Sequence, residues 1–166
     1  QLKVGRVNAE KTLKAGFTTV RDLGVYIAWT DKKLRDEINA DKIPGPRMKI
    51  SGYYLSIPGG GGDVAVPDYE GKVPDQIRRG ITKGVENFRV KAEQLVSGGA
   101  DQIKLIASGA VLAYGSVPGN PEMSPEEIAA VVAVAKDANM NVIAHAHGAL
   151  SIKQAIRSGV NSIEHA

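Results

Sequence analysis

All three histidines of this chain lie between residues 141 and 166, NVIAHAHGALSIKQAIRSGVNSIEHA, each where a short apolar run ends. Residues 141–146 form one such run and place His145 and His147 two apart, on one face of a strand. Residues 149–158 read as a helix, with Leu150, Ile152, Ala155 and Ile156 as its apolar stripe and Gly159 as its stop. Residues 160–166 form a second run, ending in Ile163-Glu164-His165. Strand, helix, strand implies parallel strands, because a helical crossover returns the chain in its starting direction. Both strands then deliver histidine at their C-terminal ends, where sites form in parallel α/β folds. Lys104 joins them from the earlier run Ile103-Lys104-Leu105-Ile106, where a parallel strand would be buried on both faces. A buried ammonium is costly unless paired, neutralised or modified. Taken alone, Lys104 reads better as a lysine whose head reaches solvent, and His145 and His165 read equally well as core histidines. Together they are ligand-capable groups ending three successive parallel strands, and neutral imidazoles are common metal ligands. His147, on the face of His145, stands as a ligand or a substrate contact.

The elements that must position these groups can be read back along the chain. Residues 7–15 read as a helix, with Asn8 as candidate N-cap and Gly16 as stop. FTTVRDL (17–23) is rich in β-branched residues and reads as a strand. A helix over 28–40 ends before Pro44-Gly45-Pro46, and RMKISGYYL (47–55) is the next strand. Residues 56–72, with Gly59 to Gly62 and Asp63, form a long flexible loop. A helix over 76–97, a strand over 101–107 and a second long loop over 108–121, which carries Tyr114, follow. Ser124-Pro125-Glu126-Glu127 starts a helix that runs to about Asn139. Strands alternating with helices predict one α/β domain over 1–166 with a parallel sheet. Either an open doubly wound sheet or part of a (β/α)8 barrel fits; a complete barrel needs about 250 residues, more than the 166 here.

Other chemistries have less support. The glycine run 59–62 is followed by no GK[ST] and opens no G-x-G-x-x-G helix, so a loop over a site fits better than a phosphate cradle. Asp63, Asp22 and Asp101 are candidate acids, Asp101 reading as a strand-start residue. Ser108, Ser116 and Ser162 lack a nucleophile elbow. Net charge is +3, but Lys and Arg are scattered, which argues against a nucleic-acid partner. The chain has no cysteine, hence no disulfide or thiolate chemistry. No apolar run approaches membrane-spanning length. No leader is visible, which carries no information in a chain that begins at Gln1; the compartment stays open, with the cytoplasm as default.

Four blocks carry a resemblance: GFTTVRDLG (16–24), GPRMKISG (45–52), GADQIKLIASG (99–109) and VIAHAHG with AIRSGVNSIEHA (142–166). In this order, over nearly the whole chain, they resemble the amidohydrolase superfamily. They are most similar to its imidazolonepropionase-related branch, which includes metal-dependent Xaa-Pro dipeptidases and carboxypeptidases acting on Lys- or Arg-ending peptides. The resemblance implies a (β/α)8 TIM barrel, here about strands 2 to 6, with one or two divalent metal ions, usually zinc. It implies that Lys104 matches a fourth-strand lysine carboxylated by carbon dioxide. It further implies that His145 (His147 as second choice) and His165 match the histidine ligands of the fifth and sixth strands. Lys104, His145 and His165 are then the metal-binding and catalytic set, with His147, Tyr114 and Asp63 as substrate contacts. A metal-activated water would attack the amide carbonyl of a small peptide or N-acyl amino acid. The alternatives are a cyclic-amide hydrolase of the imidazolonepropionase type and a catalytically incomplete, non-enzymatic α/β fragment.

Departures from the family pattern accompany the match. No HxH pair precedes Gly16, no eighth-strand aspartate is present, and a loop that often reads GGHGD in relatives reads Gly-Gly-Gly-Gly-Asp here. The expectation is an internal fragment of a larger enzyme. Its exposed sheet edges would favour self-association, making a homo-oligomer possible.

Overall fold

Helix signals written in the sequence set the alternation of elements. The clearest is the capping box of α4, Pro125–Asp137: the Ser124 hydroxyl accepts from the Glu127 N–H, and the Glu127 carboxylate accepts from the Ser124 N–H. The computed structural model describes residues 1–64 and 73–166. Its other helices are α1 Leu2–Lys14, α2 Thr30–Asn39, α3 Val85–Gly98 and α5 Ala149–Arg157. Its strands are β1 Thr19–Arg21, β2 Arg47–Lys49, β3 Tyr54–Leu55, β4 Gln102–Ile106, β5 Asn141–Ala146 and β6 Ser162–His165. No helix among the described residues is long and apolar enough to cross a membrane.

β1 pairs with β2, and β3-β4-β5-β6 form a second sheet, every pair parallel and every neighbour consecutive in sequence. A doubly wound sheet reverses its order at a switch point; this one never does. The sheet is also strongly curved. Four strand spacings from β1 to β6 would span about 19 Å if flat, yet Arg21 on β1 and Glu164 on β6 form an ion pair at 3.1 Å. Order and curvature together are those of a barrel arc.

Period-two alternation assigns the two faces. Leu55, Ile103, Leu105, Val142 and Ala144 face the helices, and pack with Phe88, Ala92 and Leu95 of α3 and Ile128, Val131 and Ala135 of α4 in one buried cluster. Each large side chain among them contributes about 1.5–3 kcal/mol by leaving water. The intervening residues, Tyr54, Lys104, Ile106, Ile143 and His145, face the concave side.

Local expectations fail in three places. The strand over 47–55 breaks into β2 and β3, because the Ser51 and Gly52 N–H groups donate to the buried carboxylate of Asp31 at 3.1 and 2.7 Å instead of to a neighbouring strand. Gly52 sits there at φ +71°, and a Cβ on it would come 2.6 Å from the Trp29 ring. The helix expected over 76–97 begins only at Val85: the Ser56 N–H donates to Gly80 O and the Thr82 N–H to Ser56 O, drawing this segment alongside the strand. Asn8 is no N-cap, since α1 begins at Leu2 and carries Asn8 inside it. Of the loop expected over 56–72, residues 65–72 lie outside the described residues.

Asp31→Ala strands two buried backbone donors. It should lower stability by roughly 2–4 kcal/mol in denaturant unfolding, with Asp31→Asn, which keeps one acceptor oxygen, less damaging.

Candidate active site

Parallel pairing puts the C-terminal ends of β5 and β6 side by side, and the three histidines meet there. The His145 ring lies 4.7 Å from that of His147 and 4.8 Å from that of His165, centroid to centroid, and the latter two are 5.5 Å apart. His145 is buried, with Nε2 3.4 Å from the Gly109 carbonyl oxygen. Burial, more than the neighbouring charges, pushes its pKa down to about 4, so the ring is neutral near pH 7. The His147 N–H donates to the Ser108 hydroxyl at 2.9 Å, which ties the end of β5 to the segment after β4. In register His165 lies opposite Ala146 rather than His145; its backbone leaves the strand at φ +80°, and its ring stands beside the others.

Lys104 is not at a strand end, as expected, but in the middle of β4, one pleat below the register position of His145. Nor does its head reach solvent: the residue is 3% exposed, and Nζ has no hydrogen-bond partner. Burial pulls its pKa down to about 8; the charge of Glu164 opposes this and that of Arg21 adds to it. Glu164 itself pairs with Arg21 and accepts from the Ser162 hydroxyl at 2.9 Å. Arg21, exposed, and Glu164, half-buried, thus form an ion pair whose charges act on Lys104. Sequence reasoning passed over both, although a charged residue inside a β-branched run is the available signal.

A cleft of about 510 Å³ opens beside His145, and Asp63 and Tyr114 are among the residues that line it. The Asp63 carboxylate, however, is held by Arg78 at 2.8 and 2.7 Å and accepts from the Gly59 N–H. Its role visible in the structure is to hold the loop. Lys104, His147 and His165 are not part of the lining. Tyr54 is, and was missed; burial pushes its phenol up to about 12. Its register partner is Lys104, so strand parity was the clue.

The glycine run is a packed turn. The N–H groups of Gly59, Gly60, Gly61 and Gly62 donate to Asp63, Ile57 O, Glu122 and the Ser56 hydroxyl in turn, leaving none for a phosphate. The absence of side chains permits close approach: a Cβ on Gly61 would lie 2.8 Å from Ala110 N, and one on Gly62 2.7 Å from Ser56 Cβ. Asp101 is structural, as its position implied, accepting from the Ile50 N–H and Arg35. Asp22 accepts from the Gly24 N–H, and burial, with a smaller push from Asp31, raises its pKa to about 6.

Residues 3–166 match the amidohydrolase family. Ochratoxinase of Aspergillus niger is 33% identical over 171 residues, an alignment covering 93% of this chain and 34% of that protein. Among solved structures, a Xaa-Pro dipeptidase with methionine bound in its active site aligns with TM-score 0.88 and 40% identity, over 99% of this chain and 41% of its own. The crystal structure of A. niger ochratoxinase aligns with TM-score 0.84 and 33% identity, over 97% of this chain and 39% of its own. The chain therefore spans about a third of the length of the curated relatives it matches.

Two outcomes test this geometry. Gly62→Ala should cost roughly 1–3 kcal/mol through overpacking, whereas Gly59→Ala, with nothing within 4 Å, should cost only the ~1 kcal/mol of its left-handed backbone; thermal unfolding of both compares them. Asp22 binds its proton more tightly folded than unfolded, so its contribution is present below about pH 4 and lost as pH rises through about 6. Asp22→Asn should therefore gain on the parent across that window, by at most about 3 kcal/mol, measured as unfolding free energy against pH.

Proposed function

The chain belongs to the amidohydrolase family, and we propose that it carries part of the catalytic barrel of a metal-dependent hydrolase that breaks C–N bonds, acting on a dipeptide or N-acyl amino acid. The observation that carries this reading is Lys104: an unpartnered amine, 3% exposed, whose charge acts on His145, one pleat away and one of a cluster of three histidines. Family membership and the Xaa-Pro dipeptidase likeness support it.

The donor set fits a divalent metal once Lys104 is carboxylated. Among the described residues no three His, Cys, Asp or Glu side chains gather as a metal ion requires; a carboxylated Lys104 would add an anionic oxygen donor near His145. With its pKa near 8, a fraction of Lys104 is free amine at neutral pH. That form adds its nitrogen lone pair to the carbon of carbon dioxide; one C=O electron pair moves to oxygen, and a proton leaves nitrogen for water. The product is an anion with two ligand oxygens, which removes an uncompensated buried cation. Carboxylated Lys104, His145 and His165 would hold zinc, as one or two ions. Such an ion lowers the pKa of bound water and polarises an amide carbonyl. His145 enters as a neutral donor, and Arg21 holds Glu164 beside the lysine. His147 and Tyr114 contact the substrate, and Asp63 shapes the cleft wall.

Lys104→Ala, made in the protein that carries this chain at its natural length, should lose metal and activity together. Elemental analysis should show depleted zinc, and the rate should fall by more than the ~100-fold typical of losing a mere supporting partner. Full metal occupancy with retained turnover would remove Lys104 from the centre.

A further inference from the structure

Resting on the hydrolase reading above, we infer that the cleft beside His145 selects its substrate by an uncharged, apolar side chain, aliphatic or aromatic, and disfavours lysine, arginine and glutamate side chains. Leu23, Ile106, Ala110 and Leu112 supply aliphatic surface to the cleft. Tyr26 and Tyr54 add an aromatic corner, their rings edge to face at 6.5 Å. Two large side chains in this lining are held in water: Leu112 is 97% exposed and Tyr114 65%. A bound apolar group would cover that surface, with roughly fourfold in affinity for each methylene buried.

Charge points the same way. Among the described lining residues, Asp63 is the one that carries a carboxylate, and Arg78 neutralises it through two contacts at 2.8 and 2.7 Å. The Tyr54 phenol, pushed up to about 12, stays neutral. Among the described lining residues, an ammonium or guanidinium entering the cleft would lose water and find no free carboxylate, and a carboxylate would find no cationic side chain. Either would be desolvated without compensation, whereas a leucine or phenylalanine side chain sheds only unfavourable hydration.

The test uses the natural-length protein loaded with zinc, and compares kcat/KM for L-Ala-L-Xaa and N-acetyl-L-Xaa substrates with Xaa as Leu, Phe, Lys, Arg or Glu. Leu and Phe should exceed each charged residue by about tenfold or more, and Leu112→Ala and Tyr114→Ala should each shrink that ratio. Preference for Lys, Arg or Glu, or a ratio unmoved by both variants, would overturn the inference. If no substrate in the panel is cleaved, the hydrolase reading falls, and calorimetry with L-phenylalanine and L-lysine as probes judges the cleft by itself. Tighter phenylalanine binding that Leu112→Ala weakens sustains the inference; equal or tighter lysine binding ends it.

Discussion

A parallel strand covered on both faces must send alternate side chains to opposite sides, and here that parity governs both the core and the site. In β4, Ile103 and Leu105 enter the cluster of Phe88 and Leu95, while Lys104 and Ile106 face the concave side. A slip by one residue would drive the Lys104 ammonium into that apolar cluster and put Leu105 in its place. The hydrophobic packing on one face therefore holds the chemistry on the other in register. β5 repeats the arrangement, with Val142 and Ala144 in the core and His145 in the candidate site.

The concave side is organised by charge. Arg21 reaches across the arc to Glu164, and their pair stands in the field of Lys104. By ordinary folding criteria the interior is imperfect, since a buried amine has no partner. Local rules tend to be broken where a site is built, and stability is recovered elsewhere. The apolar shell between sheet and helices is that other place. Its side chains are fully buried, and the strands they hold bring Lys104 and the histidines together.

The two segments that follow β3 and β4 close over the C-terminal ends of the strands. Glu122 accepts from Gly61, and Ser108 accepts from His147, so the glycine turn, the second loop and the end of β5 form one hydrogen-bonded unit. Residues 59–63 of a loop that sequence reading takes as flexible are packed, because their glycines let backbones approach. The same arc recurs in the dipeptidase and ochratoxinase structures, of which this chain covers about two fifths. It is part of a (β/α)8 barrel.

Alternating apolar runs, the capping box at Ser124 and the glycine stops determined the order of strands and helices, because these are short-range preferences. His145, His147 and His165 were legible as a set, since the parallel crossover brings their strand ends to one side. The four sequence blocks placed the chain in its family. Other features depend on contacts between residues far apart in sequence. Asp31 breaks a strand by taking the N–H groups of Ser51 and Gly52, Ser56 captures the segment around Gly80, and Arg21 meets Glu164 only because the sheet curves. The burial of Lys104 and the place of Tyr54 in the cleft likewise follow from strand register and curvature. Curvature is set by how the whole sheet packs, and no local pattern encodes it. The sequence alone determined the elements and the chemical types; only the tertiary structure decided which side chains meet at the candidate site.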